Sequence, residues 1–218
     1  ATATIKEMAQ RRYTAAANQG PERAAYRRAL QQATKGKAPT CSRCVVIARY
    51  EESLVWTEEI QRGIQVVIYD KGESGAVANI GREAHTYFKH IVDNYYRLAD
   101  VTFFLQGWPL DRSSCVLDGV NYLSNFDFIE FGSDILETGP LEEPLITFWN
   151  HIFKEPMPER PWAFRANSQF GVSRLRINKW HVDFYKRCLQ ACIHGLPGVD
   201  VKSMPYLFEQ VWWKVFGP

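Results

Sequence analysis

The chain has 218 residues and a formal net charge of +2, with 46% hydrophobic and 14% aromatic residues. This composition supports a sizeable core and excludes an intrinsically disordered chain. Its longest apolar runs have the length of a strand, far below the ~20 residues of a membrane-spanning helix, and no signal-like segment opens the sequence. We therefore expect a cytoplasmic protein with no membrane span.

The first 40 residues are strongly basic, with eight Lys or Arg against two acids, a charge of +6 that leaves −4 for the rest. They have the pattern of two helices over about residues 4–34, broken at 18–21 and followed by a linker at 35–40. We predict a basic helical arm at 1–40 and an α/β domain at 41–218. The arm's charge suits DNA or RNA, and the alternative is a solvated helical appendage.

Short apolar runs alternate with helical patterns after residue 44. Strands are predicted at 45–47, 64–69 and 101–105. A helical turn is predicted at 54–60, and a longer amphipathic helix at 81–98. This alternation is typical of βαβ crossovers, so we expect a mostly parallel, Rossmann-like sheet flanked by helices.

The remaining sequence has weaker signals. Residues 107–145 are expected to be loop-rich, with a strand near 126–131. A strand is predicted at 164–172, and helices near 179–193 and 204–216. No internal repeat is present.

Five cysteines are an odd count, which argues against a complete disulfide framework. Cys41 and Cys44 have the spacing of a zinc knuckle, while Cys188 and Cys192 are one helical turn apart and are followed by His194. These residues would form a zinc site only if the fold joined the two pairs. Ordinary buried thiols are the alternative, and we assign no metal ligands.

Polar loops follow each of the first three predicted strands, at 48–52, 69–72 and 106–109. Ligands of open α/β sheets bind where the carboxyl ends of the strands lead into loops. The three loops therefore predict a site at this edge of the sheet.

The segment 79–87 is the densest polar stretch of the sequence. Gly81 would open a helix N-terminus, where free N–H groups attract phosphate, and Arg82 adds a guanidinium fork. Glu83 and His85 are candidate catalytic bases, although Glu83 also suits the helix dipole and His85 could be a satisfied buried group.

Two late features add further candidates. The segment 164–174 carries neutral hydrogen-bonding groups suited to hydroxyl-rich ligands. Glu209 lies among aromatic residues, where burial would raise its pKa and suit it to act as a base, unless it faces solvent. The candidate substrate-binding residues are Asn79, Asp111, Asn167, Ser168, Gln169 and Arg174.

An ordered set of motifs runs through residues 43–217, outside the basic arm. It comprises Val46-Ile-Ala-Arg-Tyr-Glu-Glu52, Tyr69-Asp-Lys-Gly72, Asn79-x-Gly-Arg-Glu-x-His-Thr-Tyr87, Phe103-Phe-Leu-Gln-Gly107, Gln169-Phe-Gly-Val-Ser-Arg174, Phe184-Tyr185, Glu209, Trp212 and Phe216-Gly217. The set resembles a widespread, largely uncharacterised family of glycosyltransferase-like proteins.

That resemblance implies a small GT-A-like fold and a nucleotide-sugar donor, for which we expect a UDP-sugar. It implies that the loop of Ala48, Arg49, Tyr50 and Glu51 contacts the nucleotide, and that Gln106 marks the strand end beside the diphosphate. The usual acidic pair is missing, and only Asp111 follows. Lys71 and Arg82, or Arg49, would then neutralise phosphate, and the need for a divalent metal stays open.

The sequence thus favours an enzyme that transfers a sugar to a hydroxyl, with Glu83, His85 and Glu209 as candidate catalytic residues. The acceptor could be a modified nucleic-acid base, which would need the basic arm as well. The alternative is a non-catalytic protein that binds nucleic acid or another partner.

Overall fold

The computed structural model describes residues 41–72, 77–123, 126–131, 134–139, 142–158 and 162–217. The predicted basic arm at 1–40 lies outside these ranges. None of the helices within them is both long and apolar enough to cross a membrane.

A five-stranded sheet in the order β2-β1-β3-β7-β4 forms the centre of the domain. Strands β1 (Arg43–Arg49), β2 (Gln65–Asp70) and β3 (Val101–Gln106) are parallel. Strand β7 (Phe170–Ser173) is antiparallel to β3 and to β4 (Phe128–Glu130). The α/β class is confirmed, but the sheet is mixed rather than mostly parallel.

A second, two-stranded sheet precedes β7 in the chain. Strands β5 (Ile135–Glu137) and β6 (Ala163–Arg165) pair antiparallel. The single strand predicted at 164–172 is wrong, because a turn separates β6 from β7. The chain enters β7 from this turn and runs opposite to β3.

Seven α-helices lie within the described ranges. They are α1 (Arg82–Asn94), α2 (Val116–Tyr122), α3 (Glu143–Phe153), α4 (Arg174–Ile177), α5 (Val182–His194), α6 (Met204–Glu209) and α7 (Trp212–Phe216). Helix α2 and the start of α3 fall in the stretch that we expected to be loop-rich. The helix predicted at 204–216 is two helices.

The two faces of the sheet bury separate clusters, because side chains alternate along a strand. Val45 and Ile47 of β1 pack on one face with Trp56 of the 3-10 helix Val55–Glu59. Val46 packs on the other face with Phe88 of α1 and other aromatic side chains of the helices. The described part of the chain therefore has a core on both sides of the sheet.

The cysteines do not form the zinc site considered above. Cys44 is buried on the same face as Cys188 and Cys192, whereas Cys41 packs against the opposite face. All are free thiols. Within the described ranges, no group of three or more His, Cys, Asp or Glu side chains could hold a metal ion.

Candidate functional site

The carboxyl ends of β1 and β2 meet at a topological switch point. After β1 the chain moves to the face that buries Trp56, and after β2 it moves to the face covered by α1. A crevice between two diverging loops is where open α/β sheets bind ligands. The structure thus brings the predicted loops together at one edge, hereafter the sheet edge.

An ion pair closes the floor of this crevice. Arg49 and Asp70 are the last register partners of β1 and β2, and their side chains form a salt bridge. The Arg49 Nε also donates to the carbonyl of Glu52 at 2.9 Å, and the Asp70 carboxylate accepts from the Gly72 amide at 2.9 Å. Arg49 is therefore already neutralised by a carboxylate of the protein.

Lys71 stabilises the crevice from beneath. Its side chain is buried, and its ammonium donates to the backbone carbonyls of Ile80, at 2.7 Å, and Arg82. Burial lowers the pKa of Lys71 to about 8, an effect that the nearby Glu83 partly opposes. These contacts join the loop after β2 to the start of α1, so Lys71 supports the phosphate-binding segment predicted around Gly81.

The first turn of α1 is tightly packed. Gly81 and Arg82 both have positive φ, 58° and 45°. A Cβ on Gly81 would lie 2.8 Å from the Cβ of His85 and 3.0 Å from that of Cys192. The close approach to α5 therefore requires glycine at this position.

Arg82 extends from this turn into the crevice mouth with 55% of its side chain exposed. Its Nη1 donates to the Tyr206 hydroxyl at 2.8 Å, and its Nε lies 3.6 Å from a carboxylate oxygen of Glu83. A guanidinium has five N–H donors, so most of them remain available to a ligand.

Two carboxylates, Glu83 and Glu209, act electrostatically on Arg82, and Glu83 also acts on Glu52. Burial raises the pKa of Glu52 and of Glu209, and the negative charge of Glu83 raises both further. The Glu209 carboxylate accepts a hydrogen bond from the amide of Asn167, and that of Glu52 accepts one from the amide of Tyr50. Glu83 and Glu209, two candidate bases from the sequence, thus lie close enough to interact electrostatically.

His85 lies one turn further along α1 and is buried. Burial lowers its pKa to about 4, and the positive charges of Lys71 and Lys89 contribute. It is consequently a neutral group beneath the crevice, and its Nδ1 has no hydrogen-bond partner within the described ranges. His85 is separated from the crevice mouth, where Arg82 is exposed.

The turn before β7 forms the opposite wall of the site. Asn167 and Ser168 have positive φ, 88° and 47°. The Gln106 amide donates to the Asn167 carbonyl at 2.9 Å, and the Ser168 hydroxyl accepts from the Trp212 indole at 3.0 Å. These bonds join the turn to β3 and α7 and hold it against the sheet edge.

Backbone strain is concentrated here. Five described non-glycine residues have positive φ, and four of them, Glu51, Arg82, Asn167 and Ser168, belong to the segments just described. Such conformations cost of the order of 1–3 kcal/mol each and cluster at functional sites. Asn167 Nδ2 and Gln169 Oε1, two buried polar atoms with no hydrogen-bond partner among the described residues, lie in the same turn.

The other predicted residues are more dispersed. Ala48 is buried within β1, Tyr50 is 48% exposed beside the crevice, and Asn79 is exposed before α1. Asp111 is exposed at the end of the 3-10 helix that follows β3. Arg174 lies at the other end of the sheet and pairs with Asp100 at 2.6 Å, so the structure does not bring it to the sheet edge.

Sequence reasoning missed Glu130 in β4. It lies beside Phe170 of β7, which is also the partner of Phe104 in β3, so Glu130 is near the same edge. Burial raises its pKa to about 7, although Arg165 opposes the shift. No sequence signal marked it, because side chains of adjacent residues in a strand point to opposite faces, so apolar neighbours such as Ile129 do not indicate burial of a carboxyl group.

Tyr206 was also missed, since an exposed tyrosine in a short helix has no sequence signal. Its hydroxyl accepts from Arg82, and the Arg82 Cζ lies 5.3 Å from its ring centroid. It therefore fixes the position of the exposed guanidinium.

Residues 45–128, which contain β1 to β3 and most of the crevice, match the family model described as a protein of unknown function (DUF3431). This match covers less than half of the chain. No curated protein and no solved structure matches the chain.

The resemblance to a glycosyltransferase-like family is therefore wrong. The family that matches is an uncharacterised one, and the match carries no indication of glycosyl transfer. The motif set from Val46 to Tyr87 therefore does not by itself specify a reaction.

Proposed function

We propose that the sheet edge is the active centre of a glycosyltransferase that moves a sugar from a nucleotide-sugar donor, a UDP-sugar, to a hydroxyl acceptor. The observation that supports it best is the half-exposed Arg82 beside Glu83 and Glu209. This arrangement puts a cation for a leaving phosphate close to a carboxylate of raised pKa. A glycosyl transfer in which a general base activates the acceptor hydroxyl uses both groups.

Arg82 would bind the donor diphosphate. Its guanidinium fork matches the geometry of phosphate oxygens, and Tyr206 fixes its direction. The negative potential from Glu83 and Glu209 raises the pKa of Arg82, so the cation is maintained. As the bond between the anomeric carbon and the diphosphate oxygen breaks, the electron pair leaves with the nucleotide and Arg82 stabilises the new charge.

Glu209 would act as the general base. The acceptor hydroxyl gives its proton to this carboxylate while its oxygen forms the new bond to the anomeric carbon. A raised pKa brings the carboxylate closer to the operating pH and increases its strength as a base. Glu83 would keep the pKa of Glu209 raised by its own charge.

The turn of Asn167 and Ser168 would contact the sugar. The buried Asn167 amide nitrogen without a partner can donate to a hydroxyl, and Gln106 holds the turn in place. A neutral hydrogen-bonding wall next to a charged one suits a ligand with a hydroxyl-rich half and a phosphate half.

The test is release of nucleoside diphosphate from a panel of UDP-, GDP- and ADP-sugars with simple hydroxyl acceptors, with and without Mn²⁺. We expect turnover with one donor class and a loss of about 10²-fold or more in Glu209→Gln, a typical cost of removing a general base. Glu58→Gln, an exposed acid outside the crevice, is the matched control. Full turnover by Glu209→Gln would exclude the assigned base.

A second candidate function is nucleic-acid binding, favoured by the charge of +6 in residues 1–40. Binding through phosphates releases counterions, so affinity should fall steeply with salt. Deleting residues 1–40 should then abolish retention on DNA or RNA. Unchanged retention would exclude this function, whereas loss of retention together with sugar transfer to a base would join the two.

A further inference from the structure

A cavity of about 570 Å³ lies on the α1 side of the edge strand β2, away from the crevice mouth. It is bounded by β2 and by the second half of α1. The volume is within the range of sites for small molecules. Its polar lining includes Gln65, Tyr69, His90, Asp93, Asn94 and Arg97.

His90 forms the floor of this cavity and is 5% exposed. Its Nδ1 lies 3.2 Å from the Tyr69 hydroxyl and 3.4 Å from the Asn94 amide nitrogen. Asn94 Nδ2 also donates to the His90 carbonyl at 2.9 Å, which fixes the orientation of the amide. An amide nitrogen can only donate, so Nδ1 is the acceptor and the ring proton is on Nε2.

The His90 ring is neutral, because burial lowers its pKa to about 4 in spite of the opposing charge of Asp93. Nε2–H forms no hydrogen bond to another described residue. A buried ring held by two neighbours and left with one donor is a prepared hydrogen-bonding group.

Arg97 supplies a cation at the mouth of the cavity. Its Nε donates to Asn94 Oδ1 at 3.0 Å, so Asn94 connects it to His90. Its terminal nitrogens form no ion pair within the described ranges. The acid that also lines the cavity, Asp93, is paired with Lys89 at 2.9 Å.

A smaller part of the lining is apolar. Val67, Leu98 and Ala99 form this part beside the polar groups. A mainly polar cavity with one apolar patch, one cation and one oriented donor matches a small organic molecule with a single negative charge. A dianion would leave one charge without a partner.

We propose that this cavity is a second binding site, for a small organic carboxylate. The carboxylate lies on the Arg97 fork, the organic body packs on Val67 and Ala99, and Nε2–H of His90 donates to the ligand. The site is independent of the chemistry at the sheet edge, so it stands whether or not glycosyl transfer occurs there.

The experiment uses the full chain with isotope-labelled histidine, and titrates benzoate and inorganic phosphate while the His90 ring signals are recorded by NMR. Benzoate should shift the Nε2 signal saturably, with a dissociation constant in the millimolar range. Phosphate should bind at least several-fold more weakly.

Three variants determine the outcome. Arg97→Met should weaken benzoate binding at least tenfold, and Ala99→Leu should abolish it by filling the cavity. Arg62→Met, an exposed arginine outside the cavity, should leave it unchanged. The proposal would be overturned if both cavity variants still bound benzoate. It would also be overturned if the native chain showed no saturable shift, or if it bound phosphate more tightly than benzoate. A cooperative urea transition of each free variant, with an unfolding midpoint close to that of the native chain, reports that it is folded.

Discussion

The Glu209 carboxylate accepts a hydrogen bond from the backbone amide of Asn167, a residue with φ of 88°. This bond joins the end of α6 to the turn between β6 and β7. It holds a strained backbone and a carboxylate of raised pKa in one place, although 42 residues separate them along the chain. The candidate base and the candidate sugar-binding wall are therefore one structural unit.

The strain at Asn167 gives the first prediction. Asn167→Ala should lower the free energy of unfolding by about 1–2 kcal/mol, because alanine disfavours positive φ more than asparagine does. Asn167→Gly should cost less than the alanine variant, since glycine adopts this conformation freely. Urea denaturation of both variants measures the difference, and an alanine variant at least as stable as the glycine variant would contradict the role of the strain.

The second prediction concerns Gly107, which lies close to the side chain of Glu52. A Cβ on Gly107 would overlap the Glu52 carboxylate, which is the movable end of a side chain. Gly107→Ala should displace this carboxylate from the Tyr50 amide and cost about 1 kcal/mol, the value of one hydrogen bond.

A double-mutant cycle checks the cause. In a Glu52→Ala background the displaced group is absent, so Gly107→Ala should cost much less there than in the native chain. Equal costs in the two backgrounds would show that the alanine methyl acts on another neighbour.

The buried ammonium of Lys71 gives a prediction about alkaline pH. Its folded pKa of about 8 is below the ordinary value of 10.5, so the folded chain releases this proton before the unfolded chain does. The unfolding free energy of the native chain should therefore rise relative to Lys71→Met between pH 8 and 10.5, by up to ~3 kcal/mol. Below pH 8 Lys71 is protonated in both states, so the difference should then be at its smallest and independent of pH.

Urea denaturation of both proteins at pH 7 and pH 10 makes this measurement. The difference between the two proteins cancels the other groups that titrate in this range. A difference that does not change with pH would mean that Lys71 is solvated in the folded chain.

The carboxyl group of Glu130 should make the unfolding free energy fall with rising pH, the opposite of the effect of Lys71. Burial raises its pKa from 4.5 to about 7, so the folded chain retains a proton that the unfolded chain has released. The stability contribution of this group is complete below pH 4.5 and is lost as the pH rises to 7, a change on the order of 3 kcal/mol.

Glu130→Gln should remove this dependence. We expect the variant to gain stability relative to the native chain as the pH rises from 4.5 to 7, with Glu137→Gln, an exposed acid in β5, as the matched control. If the unfolding free energies of the native chain and of Glu130→Gln changed equally with pH, the carboxyl group would be hydrated in the folded chain.

The sequence predicted the elements whose signals are local. Strands β1 to β3 are continuous apolar runs such as Val45 to Ile47, and α1 has a helical stripe that includes Tyr87 and Ile91. Because the carboxyl ends of parallel strands share an edge, the location of the crevice followed from these elements alone.

The other elements depend on contacts between residues that are far apart in the sequence. Helix α3 begins in a stretch with many turn formers. Its aromatic side chains pack on distant residues, Phe148 on Phe208 of α6 and Trp149 on Trp162. The placement of Arg174 at the far end of the sheet follows from the antiparallel direction of β7, which strand patterns do not give.

The most direct test of the sheet edge as a nucleotide-sugar site is calorimetric titration of UDP into the native chain, Arg82→Ala and Arg62→Ala, with and without Mn²⁺. We predict saturable binding to the native chain and to Arg62→Ala, and binding at least tenfold weaker to Arg82→Ala, the cost of one charge-assisted contact. Absence of UDP binding by the folded native chain, or equal affinity of all three proteins, would contradict the account.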